Sequence, residues 1–337
     1  MATIMSRVHG VGRAARISPA ILISLLFFSA ATRGAESAAP DAGRELIRDP
    51  QFQQGFWALE PQLGRRVVRA RLPGWVSSAE PVWDLAQWSS KHPLDLACRH
   101  ESGGWKLAWT NAAKSVLLGP PGHVEGELLL AVEGSLEYGP RARRAEEPWV
   151  HLLVQQEFAD PPSLSELASA RLRLQARLVR STLVRTDDYS PDRHAAQYQA
   201  FFTVQNRNRT SPGFGQYLWF GVPLYDDRHR SPGAHVAKDT GGTGMFIYTP
   251  PGTAYTAQSA HDGQWIEIDR DLLPLMREGL ATAWAQGFLI QSKSSADYRI
   301  TGMNLGWEVP GLFDVALGVK GLSLTVIPQP ADKQAVK

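Results

Sequence analysis

The chain has 337 residues, with 35 Lys and Arg against 33 Asp and Glu, 43% hydrophobic residues and a single cysteine. One cysteine excludes an intramolecular disulfide, and a chain this long can bury a core that needs none. The balanced charge excludes a nucleic-acid binder, which needs a surplus of Lys and Arg on one face.

The chain opens like an export signal. Arg7, Arg13 and Arg16 precede an apolar run over 20–28 and the small residues Ser29-Ala30-Ala31, the order of a cleavable secretory peptide. The run is short for a membrane span, and no later stretch approaches spanning length. A secreted or periplasmic protein without a membrane span is therefore expected. Loss of residues 1–31 removes three of the 35 basic residues and no acid, leaving 32 against 33. The Ala- and Arg-rich composition points to a bacterial source. Residues 32–44 read as a flexible leader, 45–327 as one β-sandwich domain and 328–337 as a polar tail.

Short apolar runs broken by Pro and Gly follow one another from 46 to 162, the punctuation of an all-β sandwich or barrel. Cys98, within this region, reads as a packing residue rather than a nucleophile. Ser163-Leu-Ser-Glu166 has the form of a helix capping box, so one helical turn is expected over 163–168. A strand is expected from about 170 to 180, where Leu172, Leu174, Ala176 and Leu178 alternate with Arg171, Arg173, Gln175 and Arg177.

The most informative stretch runs from 195 to 227. Ala196, Tyr198, Ala200, Phe202 and Val204 alternate with Gln197, Gln199, Thr203 and Gln205, the period of a strand with one buried face. After a polar loop the alternation resumes, with Leu218, Phe220, Val222 and Leu224 on the core side and Tyr217, Trp219 and Tyr225 on the other. Two such strands present glutamines and flat aromatic rings together, a surface suited to sugar hydroxyls and sugar-ring faces. Trp219, Tyr217 and Tyr225 are the expected stacking residues, and Gln197, Gln199 and Gln205 the expected hydrogen-bonding ones. Arg171 and Arg173 would rim the same groove if their strand lies beside it. An antiparallel sheet also carries a merely solvated face without any ligand, and arginines on a strand are often only solvated.

Asp226, Asp227, His229, His235 and Asp239 crowd the loop that follows. Asp226, His229, His235 and Asp239 are the candidates for a metal, a structural Ca²⁺ included, set against an ordinary polar loop; no cofactor is otherwise expected. Asp239-Thr-Gly241 lacks the second copy that a carboxylate dyad requires. Gly241-Gly-Thr-Gly244 lacks the context of a phosphate loop. Further on, one helix is expected after a strand at 264–268, with Asp271 as N-cap, Leu273, Met276, Leu280 and Trp284 on its buried face and Gly287 at its end. Strands near 298–305 and 315–326 close the chain. Glu308, in Gly306-Trp-Glu-Val-Pro-Gly311, could pair with Asp227 or Asp226 in glycoside cleavage, which needs two facing carboxyls.

The stretch 46–57, with Asp49-Pro-Gln-Phe52 and Gly55-Phe-Trp57, resembles the first strand and turn of jelly-roll, galactose-binding-like carbohydrate-binding modules. Asp49-Pro-Gln-Phe52 stands where Asn-Gly-x-Phe is commoner in them. Phe313-Asp314-Val315 through Leu322-Ser-Leu324 resembles their last strand, and 149–177 their central strands. The resemblance implies a jelly-roll β-sandwich with one or two short helices that binds polysaccharide or oligosaccharide. The alternative is a secreted polysaccharide-degrading enzyme on the same fold. That enzyme would be a glycoside hydrolase using Glu308 with Asp227, or a lyase. A lyase would draw on Tyr198 or Tyr189, His194, Gln197 and Arg173.

Overall fold

The computed structural model describes residues 43–76, 78–102 and 104–330. The expected signal peptide, nearly all of the leader and the tail from 331 onward lie outside the described residues. Two sheets pack face to face as a jelly-roll β-sandwich. The nine-stranded sheet runs β13 (His235–Lys238), β14 (Phe246–Thr249), β12 (Tyr217–Asp226), β11 (Gln197–Asn206), β16 (Tyr298–Val309), β9 (Val150–Glu157), β4 (Trp83–Ala86), β2 (Gly55–Leu59) and β3 (Val68–Pro73). The eight-stranded sheet runs β15 (Ile266–Asp271), β10 (Leu167–Leu183), β17 (Phe313–Pro328), β8 (Leu128–Glu133), β7 (Lys114–Leu118), β6 (Trp105–Thr110) and β5 (Arg99–Ser102), with β1 (Arg44–Glu45) also on β17. Two short helices complete the described elements, α1 (Gly134–Tyr138) and α2 (Leu273–Ala285).

The alternation predicted for β11 is the one found. Tyr198, Ala200, Phe202 and Val204 are fully buried, while Gln197, Gln199, Phe201, Thr203 and Gln205 are half-buried on the outer side. The inward residues join Trp83, Trp109, Trp307 and Phe220 in one core shared by both sheets. Helix α2 covers one edge of it, burying Leu273, Met276, Leu280 and Ala283 with Trp284 packed alongside. Its N-cap is Leu272 and not the expected Asp271, which lies one residue earlier and accepts the Leu273 N–H at 3.1 Å. No helix among the described residues is long and apolar enough to cross a membrane.

The N-terminal segment lies beside the last strand through residues 44–46. Arg44 and Glu45 face Val326 and Thr325, and the Leu46 N–H donates to Leu324. Residues 49–54 form a turn instead, because the Asp49 carboxylate accepts the N–H groups of Gln53 and Gln54 at 2.8 and 2.9 Å. The turn drives Phe52 into the core against Trp83, whose indole N–H donates to the Asp49 carbonyl at 2.9 Å. Residues 163–166 likewise make a turn and not a helical one. The Ser163 N–H donates to the Glu166 carboxylate at 2.7 Å, and the chain then enters β10 directly at Leu167.

One charged pair lies wholly inside. Lys114 and Glu137 have no exposed side-chain surface and bond each other. Ser90 donates to Glu137 at 2.9 Å, the Lys91 N–H donates to it at 2.7 Å, and Lys114 also donates to Ser90 at 2.6 Å. Burial pulls the Lys114 ammonium below its ordinary range despite the carboxylate beside it. Burial pushes Glu137 the other way, and the lysine with the Ser90 and Lys91 donors outweighs it, holding the carboxyl below its ordinary range.

Candidate active site

The outer face of the nine-stranded sheet can be read off the register. One row across it is His151 on β9, Glu308 on β16, Gln197 on β11 and Asp226 on β12. Two rows along come Trp57, Asp84, Gln155, Asn304, Phe201 and Gly221. A side chain at 221 would strike Thr249 and the Phe201 ring, so glycine there lets both lie close over the sheet. Farther on, Trp219 pairs with Thr203. This face is mostly uncharged amides and aromatic rings.

The other sheet's outer face differs in kind. Arg171 and Arg173 both bind Asp269 across β10 and β15, Arg177 binds Glu125, and Arg180 binds Glu133. Such exposed pairs contribute little stability but keep that face wet. Arg171 and Arg173 therefore do not rim the glutamine face. Their strand pairs with β15 and β17, a whole sandwich thickness away.

Two titratable groups dominate the glutamine face. Burial pushes the Glu308 carboxyl up to about 7, with the Asp239 charge adding to the shift and His235 opposing it. About a fifth of its side chain remains exposed. Burial pushes His151 down to about 4, so it stays neutral. Its Nδ1 lies 2.9 Å from the Trp149 carbonyl, which can only accept, so Nδ1 carries the hydrogen. The Nε2 lone pair is left facing Glu308 at 3.9 Å, beyond a direct hydrogen bond. Trp88 packs edge-on against His151 with ring centroids 5.6 Å apart.

The hairpin of β13 and β14 brings in Asp239. Its carboxylate accepts from the Thr243 N–H and hydroxyl, both at 2.7 Å, and the Thr243 oxygen accepts from the Trp219 indole at 3.0 Å. Trp219 in turn meets Tyr217 edge-to-face at 5.1 Å and Phe201 at 5.9 Å. The aromatic residues are thus half-covered by a polar loop, and Asp239 is held over the face that carries Glu308. Trp219→Ala should cost only about 1–2 kcal/mol, while Phe220→Ala, fully buried one residue on, should cost about 3–5 kcal/mol. Urea melts of the two variants check this. Equal losses would mean that Trp219 belongs to the core.

Of the residues expected to act together, Gln197, Gln199, Tyr217, Trp219, His235, Asp239 and Glu308 share this outer face. Gln205 lies at its far end, donating to the Gly215 carbonyl at 2.9 Å. Asp226 is on it but inaccessible, forked by Arg228 at 2.9 and 2.7 Å and bonded by Gln197 at 2.6 Å.

Tyr225 is not on this face. Leu224 is an extra residue opposite β11, so Pro223 pairs with Gln199 and Tyr225 with Tyr198. One inserted residue reverses the alternation beyond it. Tyr225 consequently points inward, 5.8 Å from the Trp307 ring. Asp227 follows it to the inner side, so Asp227 and Glu308 do not face one groove. Burial, with Asp226 nearby, pushes the Asp227 carboxyl up to about 6.

His194 is corrected as well. It is buried, accepts from the Ser190 N–H at 2.8 Å and reaches the Arg143 carbonyl at 2.8 Å, so both ring nitrogens hold the backbone together. The lyase set is scattered: Tyr198 and His194 are buried, Tyr189 packs on the His194 ring at 5.6 Å, Gln197 is on the outer face and Arg173 is on the other sheet. Among the described residues no group of three or more His, Cys, Asp or Glu is arranged to hold a metal, and Asp226, His229, His235 and Asp239 form no such cluster.

His151, Gln155, Asn304 and Phe201 were missed from the sequence. Leu153, on the same outer side of β9 as His151 and Gln155, is buried with Leu59 and Ala86 beneath Trp88. The strand therefore reads as apolar on both faces. The period-two place of Phe201 was visible, but an apolar residue there looked out of pattern.

No family model matches the chain, and no curated relative matches it. Among solved structures, an endoglucanase, Cel12A, from Rhodothermus marinus is 11% identical at a TM-score of 0.37, over 67% of this chain and 93% of that one. The family 11 xylanase from Neocallimastix patriciarum is 11% identical at 0.36, over 68% and 94%. A family 12 xyloglucanase from Bacillus licheniformis is 9% identical at 0.37, over 68% and 97%. All three are enzymes rather than galactose-binding-like modules. Likeness at TM-scores of this size fixes neither the fold nor the chemistry of this chain.

Proposed function

We propose that the protein cleaves polysaccharide on the outer face of the nine-stranded sheet, as a glycoside hydrolase with Glu308 as general acid. The observation that carries this reading is the place of Glu308, mostly buried and in register with Gln197 and His151 on the amide and aromatic face. Its carboxyl is pushed up to about 7 on a sugar-compatible face, with a second carboxylate, Asp239, acting on it electrostatically. Hydrolysis of a glycosidic bond needs one protonated and one ionised carboxyl flanking it. Glu308 gives its proton to the leaving oxygen, and Asp239, fixed by Thr243, supplies the second carboxylate. Gln197, Gln199 and Asn304 bind hydroxyls, and Trp219, Tyr217 and Trp57 take up the faces of the sugar rings. This reading takes up the enzyme alternative in place of a binding-only surface, and it retains export to the periplasm or beyond.

The test is incubation with a panel of neutral and acidic polysaccharides, measuring reducing ends and retention together. Cleavage of at least one is expected, falling at pH above about 7 as Glu308 loses its proton. Retention without any new reducing ends would return the protein to the binding reading. Cleavage undiminished in Asp239→Asn would remove that residue from the proposed pair.

A further inference from the structure

A separate cleft opens on the inner side of the same strand. It lies at one end of the sandwich, between β12 of one sheet and β10 and β17 of the other, and encloses about 590 Å³. That is within the usual size of a small-molecule site, roughly 300–1,000 Å³. Tyr189 gives it a half-buried aromatic wall, with Tyr225 and Phe313 buried behind it, and Ser181, Asp227, Arg228 and His261 give it polar groups. The Tyr225 hydroxyl donates to Ser181 at 2.9 Å, tying the two sheets together at the cleft floor.

The polar groups have unused capacity. Asp227 accepts the Ala196 N–H through Oδ1 at 2.6 Å, while Oδ2 has no hydrogen bond among the described residues. Arg228 spends Nε and Nη2 on Asp226, leaving Nη1 likewise unbonded there. An acceptor and a donor therefore sit on consecutive residues beside an aromatic wall. The Arg228 charge is matched by Asp226, so its Nη1 serves the cleft as a donor beside the Asp227 acceptor. A neutral polyol satisfies both, one hydroxyl donating to Asp227 and its neighbour accepting from Arg228.

We infer that this cleft is a second, non-catalytic binding site for a neutral sugar unit, packed on Tyr189 and hydrogen-bonded by Asp227 and Arg228. It stands on its own lining and not on hydrolysis at the outer face, from which the sheet separates it. Titrating the protein with glucose, galactose, mannose and xylose, by calorimetry and saturation-transfer NMR, tests it. At least one should bind saturably, and Asp227→Asn and Tyr189→Ala should each weaken that binding at least about tenfold. Asp227→Asn keeps the oxygen that accepts from Ala196, and Tyr189 lies in a half-buried loop, so either variant carries the test if the other fails to fold. The site is overturned if none of the four sugars saturates below about 100 mM, or if binding survives both Asp227→Asn and Tyr189→Ala. Loss of cleavage in Glu308→Gln with sugar binding intact separates the two sites.

Discussion

Glu308→Gln should fold and should lose polysaccharide cleavage by about 10²–10⁴-fold, the usual contribution of a positioned general acid. It should also be more stable than the parent at neutral pH. A carboxyl raised from 4.5 to about 7 binds its proton more tightly in the folded chain than in the unfolded one. Its contribution to stability is complete below pH 4.5, falls as the pH rises, and is gone above about 7. Glutamine does not titrate, so Glu308→Gln should gain on the parent across that window by at most about 3 kcal/mol. His151 has the opposite sign. Its pKa, lowered from 6.5 to about 4, favours the fold above 6.5 and costs stability as the pH falls toward 4. The two slopes oppose each other between about 4.5 and 6.5, so the two contributions largely cancel there. Urea midpoints at pH 5 and 8 check this. A Glu308→Gln variant no more stable at pH 8 would mean that the carboxyl is not raised, and the acid assignment would go with it.

Lys114→Met should destabilise the fold by about 3–5 kcal/mol, the cost of leaving a buried charge without its partner. For a domain this size that is roughly 10 °C in Tm. Glu137 would keep Ser90 and the Lys91 N–H but lose the charge that holds it ionised. Adding Glu137→Leu to Lys114→Met should recover most of the loss, because replacing both partners removes the unpaired charge. Thermal melts of the two variants decide it. A double variant as unstable as the single one would show that Glu137 holds the Ser90 loop independently of its charge.

Much of the glutamine face was legible because it depends on local periodicity. Each half-turn of β11 places Gln197, Gln199 and Gln205 opposite a fully buried partner set, and nothing distant is needed to see it. The helix at 273–285 was legible for the same reason, through its apolar stripe, although its N-cap is Leu272 and not Asp271. What failed was non-local. The alternation of Arg171 and Arg173 is as regular as that of β11, yet which sheet a strand joins depends on partners about a hundred residues away. His194 and Asp227 failed on contacts of the same kind, one with a carbonyl at Arg143 and the other with the register of β12 against β11. Glu308 is singled out by residue type, but Asp239, its proposed partner, is grouped with metal ligands because the sequence does not show the β13–β14 hairpin folding over the strand that carries Glu308.

The extra residue at Leu224 bears on how this chain can change length. In an ordinary strand, losing one residue turns every later side chain to the opposite face, and such deletions are seldom tolerated. Here the odd residue is already accommodated opposite the Tyr198–Gln199 step. Deleting Leu224 would regularise the ladder, with Tyr225 and Asp227 still inward and Asp226 still outward, at the cost of one buried leucine. An insertion or deletion elsewhere in β12 would exchange the two acidic neighbours between their compartments. Natural length variation in this strand should therefore be confined to the position of Leu224.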